Sequence, residues 1–256
     1  MNYTEFSNRL EKNKPIDLGD ILNKSFELFK RTWTQGLIHL LLNFLIVIPI
    51  SLLVFIPMFF AGLIDTRLYE HSEPSILTII TMFVMVFPAV FLASTFTMLL
   101  NAAFFRIVKR IDYNEDEQSA SFGMFFTGGY IKKSFVLAFV TSVIALVATL
   151  ACFLPLLYIA VPLNLIPVIF AFNPELSWRD LVKASFTLGT KKWLIIFGLM
   201  IVSAILAEIV GFLLCGIGIF VTMSFVYLPM YFVYKEVIGF DSNDVIGEKF
   251  TTNYSN

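Results

Sequence analysis

The sequence predicts an all-α membrane protein with six transmembrane helices. Three observations carry that prediction: the composition, the lengths of the uncharged stretches, and the placement of Lys and Arg. Of 256 residues, 58% are hydrophobic and only 14% are charged, with a mean hydropathy of +0.82. A soluble domain carries about a quarter charged residues. The 29 phenylalanines exceed what a soluble core of this size can bury, so lipid must act as their second solvent. A formal net charge of -1 argues against nucleic-acid binding, which calls for a basic domain.

A helix crosses the hydrocarbon layer with about 20 mainly apolar residues. Residues 36–64 form the first such stretch, ended by a loop with Asp65, Arg67, Glu70, His71 and Glu73. Residues 75–105 form the second, closed by Arg106, Lys109 and Arg110. Both exceed a straight crossing and imply tilt or kinks, for which Pro49, Pro57 and Pro88 are the sites. From Ser134 to Phe172 no charge occurs, which suits two spans, 134–153 and 155–172, turning at Pro155. Pro162 and Pro167 are then expected to break the fourth span. Spans 193–213 and 218–235 follow, divided by a turn near Leu214 to Gly218.

With six spans, every one of the 18 Lys and Arg residues except Arg67 falls on one side. Basic residues resist translocation, so that side is the cytoplasm and both termini lie there. Trp33, Trp178 and Trp193 fall at the same interface, which suits an amphipathic indole. The polar first 33 residues are not the pattern of a cleavable signal peptide. Residues 1–236 are expected to form a single integral membrane domain and 237–256 a polar cytoplasmic tail.

Residues 20–33 read DILNKSFELFKRTW and residues 180–193 read DLVKASFTLGTKKW. They share Asp, Ser, Phe, Leu and Trp in register, and each precedes a span. Residues 119–133 offer a weaker third copy. The chain is therefore expected to hold three pseudo-repeated units, each an interfacial amphipathic helix followed by a helical hairpin. The interfacial helices are placed at 17–32 and 177–190, with Asp17 and Ser177 as N-terminal caps. Two roles suit them: elbows that set how each hairpin enters the bilayer, or contacts for anionic lipid or a cytosolic partner.

These runs, IDLGDILNKSFELFKRTW and PELSWRDLVKASFTLGTKKW, resemble a group of poorly characterised bacterial integral membrane proteins. They are similar to the membrane domain fused to some glycerophosphodiester phosphodiesterases. The resemblance implies a bacterial plasma-membrane location and a stand-alone membrane module. Only 22 residues follow Tyr234 in this sequence, too few for a phosphodiesterase barrel, so the hydrolytic activity is not expected to carry over.

No catalytic constellation is apparent. His39 and His71 do not form an HExxH site, and neither GxxxxGK[ST] nor GxGxxG occurs, so no nucleotide, metal or other cofactor is expected. His39 reads as an interfacial histidine with ordinary solvation. Cys152 and Cys215 read as two apolar thiols near the outer ends of spans, with a disulfide as the alternative.

Glu208 is the ionisable residue set well inside an apolar stretch, about 22 Å along a helix from Trp193. Such carboxyls mark ion or proton paths, unless they snorkel to the headgroups. Asn43, Asn101 and Asn164 are embedded in spans and either line a polar path with Glu208 or bond between helices. The first functional expectation is a non-catalytic membrane-organising or partner-binding module, its partners being membrane lipids and other membrane proteins. The alternative is a transporter or channel for a lipid or small amphiphile. A cavity lined by Glu208 and the three Asn residues would favour the alternative.

Overall fold

The structure, a computed structural model, describes residues 1–12, 15–64, 76–115, 121–151, 154–214, 216 and 218–240. Nine α-helices and two short 3₁₀ turns make up the described residues, with no strand among them. The helices are α1 (Tyr3–Glu11), α2 (Leu18–Ile64), α3 (Ile76–Tyr113), α4 (Gly128–Leu150) and α5 (Leu154–Phe172), then α6 (Trp178–Lys191), α7 (Trp193–Leu213), α8 (Gly218–Thr222) and α9 (Leu228–Val237). Six helical segments are long and apolar enough to cross a membrane: Leu18–Ile56, Phe83–Tyr113, Gly128–Leu150, Leu154–Phe172, Trp193–Leu213 and Gly218–Val237. The fold is that of a multi-pass helical membrane protein.

Neighbouring helices run antiparallel, as cross-contacts fix. His39 meets Asn101 and Arg31 meets Asn114 between α2 and α3. Phe91 packs on both Phe135 and Phe139 between α3 and α4. Phe44 meets Phe220, and Lys24 meets Glu236, between α2 and the last segment. The Thr222 hydroxyl donates to the Ala207 carbonyl across the α7–α8 hairpin.

Several boundaries differ from the sequence reading, each for a physical reason. The interfacial helix expected at 17–32 is not separate: α2 runs unbroken from Leu18 through the first span. Its counterpart, α6, does stop, at Lys192, whose φ of -117° and ψ of 23° leave the helical region before α7. Both copies are capped as expected. Asp17 Oδ1 accepts from the Asp20 N–H at 2.9 Å and Ser177 Oγ from the Asp180 N–H at 3.2 Å. Part of each apolar face packs against protein, while Phe26 stays 53% exposed. Ile21, Ser25 and Leu28 in one copy, and Leu181, Ser185 and Leu188 in the other, are all buried. α6 lies along α5 and carries α1 beside it: the Tyr3 hydroxyl meets Thr187 and Lys191 donates to the Leu10 carbonyl. Among the described residues of the weak middle copy, a 3₁₀ turn, Phe122–Phe125, precedes α4.

Charge is a poor stop signal where the charge is paired. α3 continues past Arg106 to Tyr113 because Arg106 donates to the Ala171 carbonyl at 2.5 Å and Asp112 pairs with Lys235. The fourth span turns before Pro155, since α5 begins at Leu154, and neither Pro162 nor Pro167 breaks it. α2 and α3 likewise continue as helix through Pro49, Pro57 and Pro88. The sixth span is less regular than expected. α8 passes into a 3₁₀ turn, Met223–Tyr227, and α9 restarts with Pro229 in its first turn, where a missing N–H costs nothing. Gly239, at φ +76°, closes α9 on the Tyr234 carbonyl, and Phe240 then packs on Phe172. The folded domain thus reaches Phe240, beyond the expected tail boundary. Cys152, Cys215 and His71 lie outside the described residues.

Burial divides the molecule into two zones. The continuous core joins the second half of α3, most of α5, the inner face of α6, and α9. Large apolar side chains face outward on α2 beyond Ile38, on α3 before Leu92, on α4 from Phe135 to Leu150, and along α7. In water such a surface would be a liability, and in a bilayer it meets acyl chains.

Candidate ligand cleft

α2, α7, α8 and the Met223–Tyr227 turn do not close on one another. They leave a cavity of about 930 Å³, which Thr97 of α3 also touches. Small residues on α7, Ala204 and Ala207, make the room, and Phe44, Val47, Ile209, Phe212 and Leu213 supply apolar walls. The helices are nonetheless pinned beside the gap. A Cβ at Gly36 would overlap the Ser224 side chain, and one at Gly211 would come within 2.5 Å of Ile219 Cγ1. The opening is therefore held by tight contacts at Gly36 and Gly211.

One end of the cleft is polar. His39 Nε2 lies 2.8 Å from Asn101 Oδ1, and Asn43 Nδ2 donates to the His39 carbonyl at 2.9 Å. The imidazole stacks on Phe104 with centroids 4.7 Å apart and meets Tyr227 edge-on at 5.2 Å. Only 2% of His39 is exposed. The sequence reading of an ordinarily solvated interfacial histidine is thereby corrected: the ring is enclosed by aromatics and fixed by an amide from the next helix. The i,i+4 spacing of His39 and Asn43 was the signal that could have found it.

The four residues singled out from the sequence separate. Asn43 and Glu208 line the cleft. Asn101 is buried behind its wall, holding His39. Asn164 is elsewhere, exposed on α5 with its amide bonded to the Ala160 carbonyl at 2.8 Å. It lies outside the cleft lining, with its amide N–H turned to its own helix.

Two hydroxyls at the cleft are also engaged, while those of Thr97 and Tyr227 have no hydrogen bond to a described residue. Thr222 donates to Ala207 at 2.7 Å and Ser224 to Val221 at 3.2 Å. Glu208, exposed on the cleft wall, is the charged residue there. It lines the cleft with no hydrogen bond or ion pair to any described residue. No Lys or Arg lines the cavity. Among the described residues no three His, Cys, Asp or Glu side chains gather as a metal site would require. The arrangement can hold an apolar body and offers one acidic group to a ligand. No protein family, curated protein or solved structure matches the chain.

Proposed function

We propose that this protein is a non-catalytic multi-pass protein of a bacterial plasma membrane that receives a lipid or small amphiphile in the cleft between α2 and the α7–α8 hairpin. The single observation that supports the reading is the cleft itself: about 930 Å³ of mainly apolar space with Glu208 and Asn43 on its wall. Sites for drug-sized ligands have this size and this mixture of apolar lining with a few polar groups. Passage of the ligand across or along the membrane is the activity that such a cleft serves.

The Lys and Arg distribution supports placing both termini in the cytoplasm. The matching caps and buried positions of the segments at 17–32 and 177–190 favour a repeated origin for the first and third units. The membrane-organising reading is favoured by a different feature, the tightly packed zone of α3, α5, α6 and α9. The two differ in what stays bound.

Native mass spectrometry of protein extracted in mild detergent tests the proposal. A retained amphiphile that is lost in Ala204→Phe, with unchanged folding, is the expected result. Equal occupancy in both proteins, or an empty wild type that also supports no amphiphile flux in liposomes, rejects it.

A further inference from the structure

We infer that the amphiphile taken by this cleft bears a cationic, ammonium-type headgroup that pairs with the Glu208 carboxylate. The inference rests on the cleft being a ligand site, as proposed above.

The charge balance of the wall carries it. Glu208 is the acidic residue lining the cleft, and no basic residue lines it. No described residue hydrogen-bonds or ion-pairs with Glu208. Glu208 is exposed on that wall, so its carboxylate is open to a ligand in an otherwise apolar cleft. A bound cation would neutralise that charge, whereas an anionic headgroup would set like charge beside it. Of the remaining polar groups, the Thr97 and Tyr227 hydroxyls line the wall without a hydrogen bond to a described residue, but they carry no charge to offset an anion's. The Asn43 amide is engaged by the His39 carbonyl, and the Thr222 and Ser224 hydroxyls donate to backbone carbonyls.

The aromatic lining agrees with the sign. Phe212 sits four residues beyond Glu208, on the same face of α7, and Tyr227 and Phe44 line the facing walls. Aromatic faces attract ammonium groups through their quadrupole, most strongly where water is excluded. A bare metal ion is not served by this wall, since the described residues offer no cluster of three ligating side chains. An organic cation needs only one carboxylate and an aromatic surround. Its hydrocarbon chain would then lie along Val47, Ile209 and Leu213.

The test uses the full chain in nanodiscs of neutral phosphatidylcholine, with empty nanodiscs as the partition background. Binding of a dansyl-labelled alkyltrimethylammonium is followed by fluorescence. Dodecyltrimethylammonium, dodecyl maltoside and dodecyl sulfate serve as competitors. Wild type is expected to bind the cation saturably, with dodecyltrimethylammonium competing at least about tenfold better than either other detergent. Glu208→Gln should erase that preference and leave the affinity for the neutral competitor unchanged, and Glu208→Asp should retain part of it. Ala204→Phe should abolish saturable binding altogether.

A wild type that prefers dodecyl sulfate, or shows no preference, overturns the inference without recourse to any variant. So does an unchanged preference in Glu208→Gln. If Ala204→Phe still removes binding in those cases, the cleft stands as a ligand site and only the headgroup assignment fails. If Ala204→Phe changes nothing, both fail.

Discussion

The indole Nε1–H of Trp193 donates to the backbone carbonyl of Tyr158 at 2.9 Å. That carbonyl is the one Pro162 cannot satisfy, because a proline four residues on has no N–H to give. α5 therefore passes through Pro162 as helix while a side chain from the start of α7 takes the vacant position. Gly189 completes the seam, since a Cβ there would lie 3.0 Å from Pro162 Cα. Trp193→Phe keeps the stacking on Phe197 but leaves the carbonyl unpaired, and should cost about 1 kcal/mol in thermal unfolding. In a Pro162→Ala background the same change should cost clearly less, because residue 162 then supplies the N–H. Equal costs in both backgrounds would disprove the link.

Gly36 and Ser224 set the spacing of α2 against the last segment. Gly36→Ala should destabilise by about 1–3 kcal/mol, because its Cβ overlaps both Oγ and Cβ of Ser224. The two atoms make the rescue selective. Ser224→Gly should restore most of the loss and Ser224→Ala should not. Rescue by the alanine would mean that the hydroxyl alone is crowded.

His39 and Asn101 form a buried polar pair in an aromatic enclosure. Asn101→Leu removes the closer of two partners of the imidazole Nε2, leaving Asn43 Nδ2 at 3.1 Å, and should cost about 1 kcal/mol. Replacing both, His39→Phe with Asn101→Leu, should recover stability relative to the single variant, since no buried polar group is then left unpaired. Chemical or thermal unfolding in detergent checks both. A double variant no better than Asn101→Leu would show that the pair does not act as one.

Topology can be read by impermeant maleimide on intact cells, after Cys152 and Cys215 are changed to serine. Lys132→Cys, exposed near the start of α4, should stay unlabelled from outside. Leu214→Cys, exposed just after α7, should react. Labelling in the reverse order would overturn the placement of the termini.

That six helical segments are long and apolar enough to cross a membrane was legible in the sequence, because uncharged length is a property that survives folding. What misled was the use of single residues as boundaries. Arg106 reads as the end of a span, yet its charge is answered by the Ala171 carbonyl and the helix runs on. Pro162 reads as a break, yet Trp193 repairs the lost bond. Of the site, Glu208 and Asn43 were visible as polar residues in apolar runs. His39 was not, because its burial depends on Phe104, Asn101 and Tyr227, which approach from distant parts of the chain. Asn164 shows the converse: the same residue type in the same apolar setting is satisfied by its own helix at Ala160.

Photocrosslinking tests the cleft most directly. An amphiphile with a diazirine in its alkyl chain is irradiated with the protein in nanodiscs, and the adducts are mapped by peptide mass spectrometry with and without excess unlabelled competitor. Adducts at Phe44 and Val47 should appear and be competed away, while those at the outward-facing Phe139 and Val147 should grow in proportion to concentration and resist competition. Should the cleft residues carry no competable adduct, the amphiphile does not enter between α2 and α7, and the ligand-binding account is wrong.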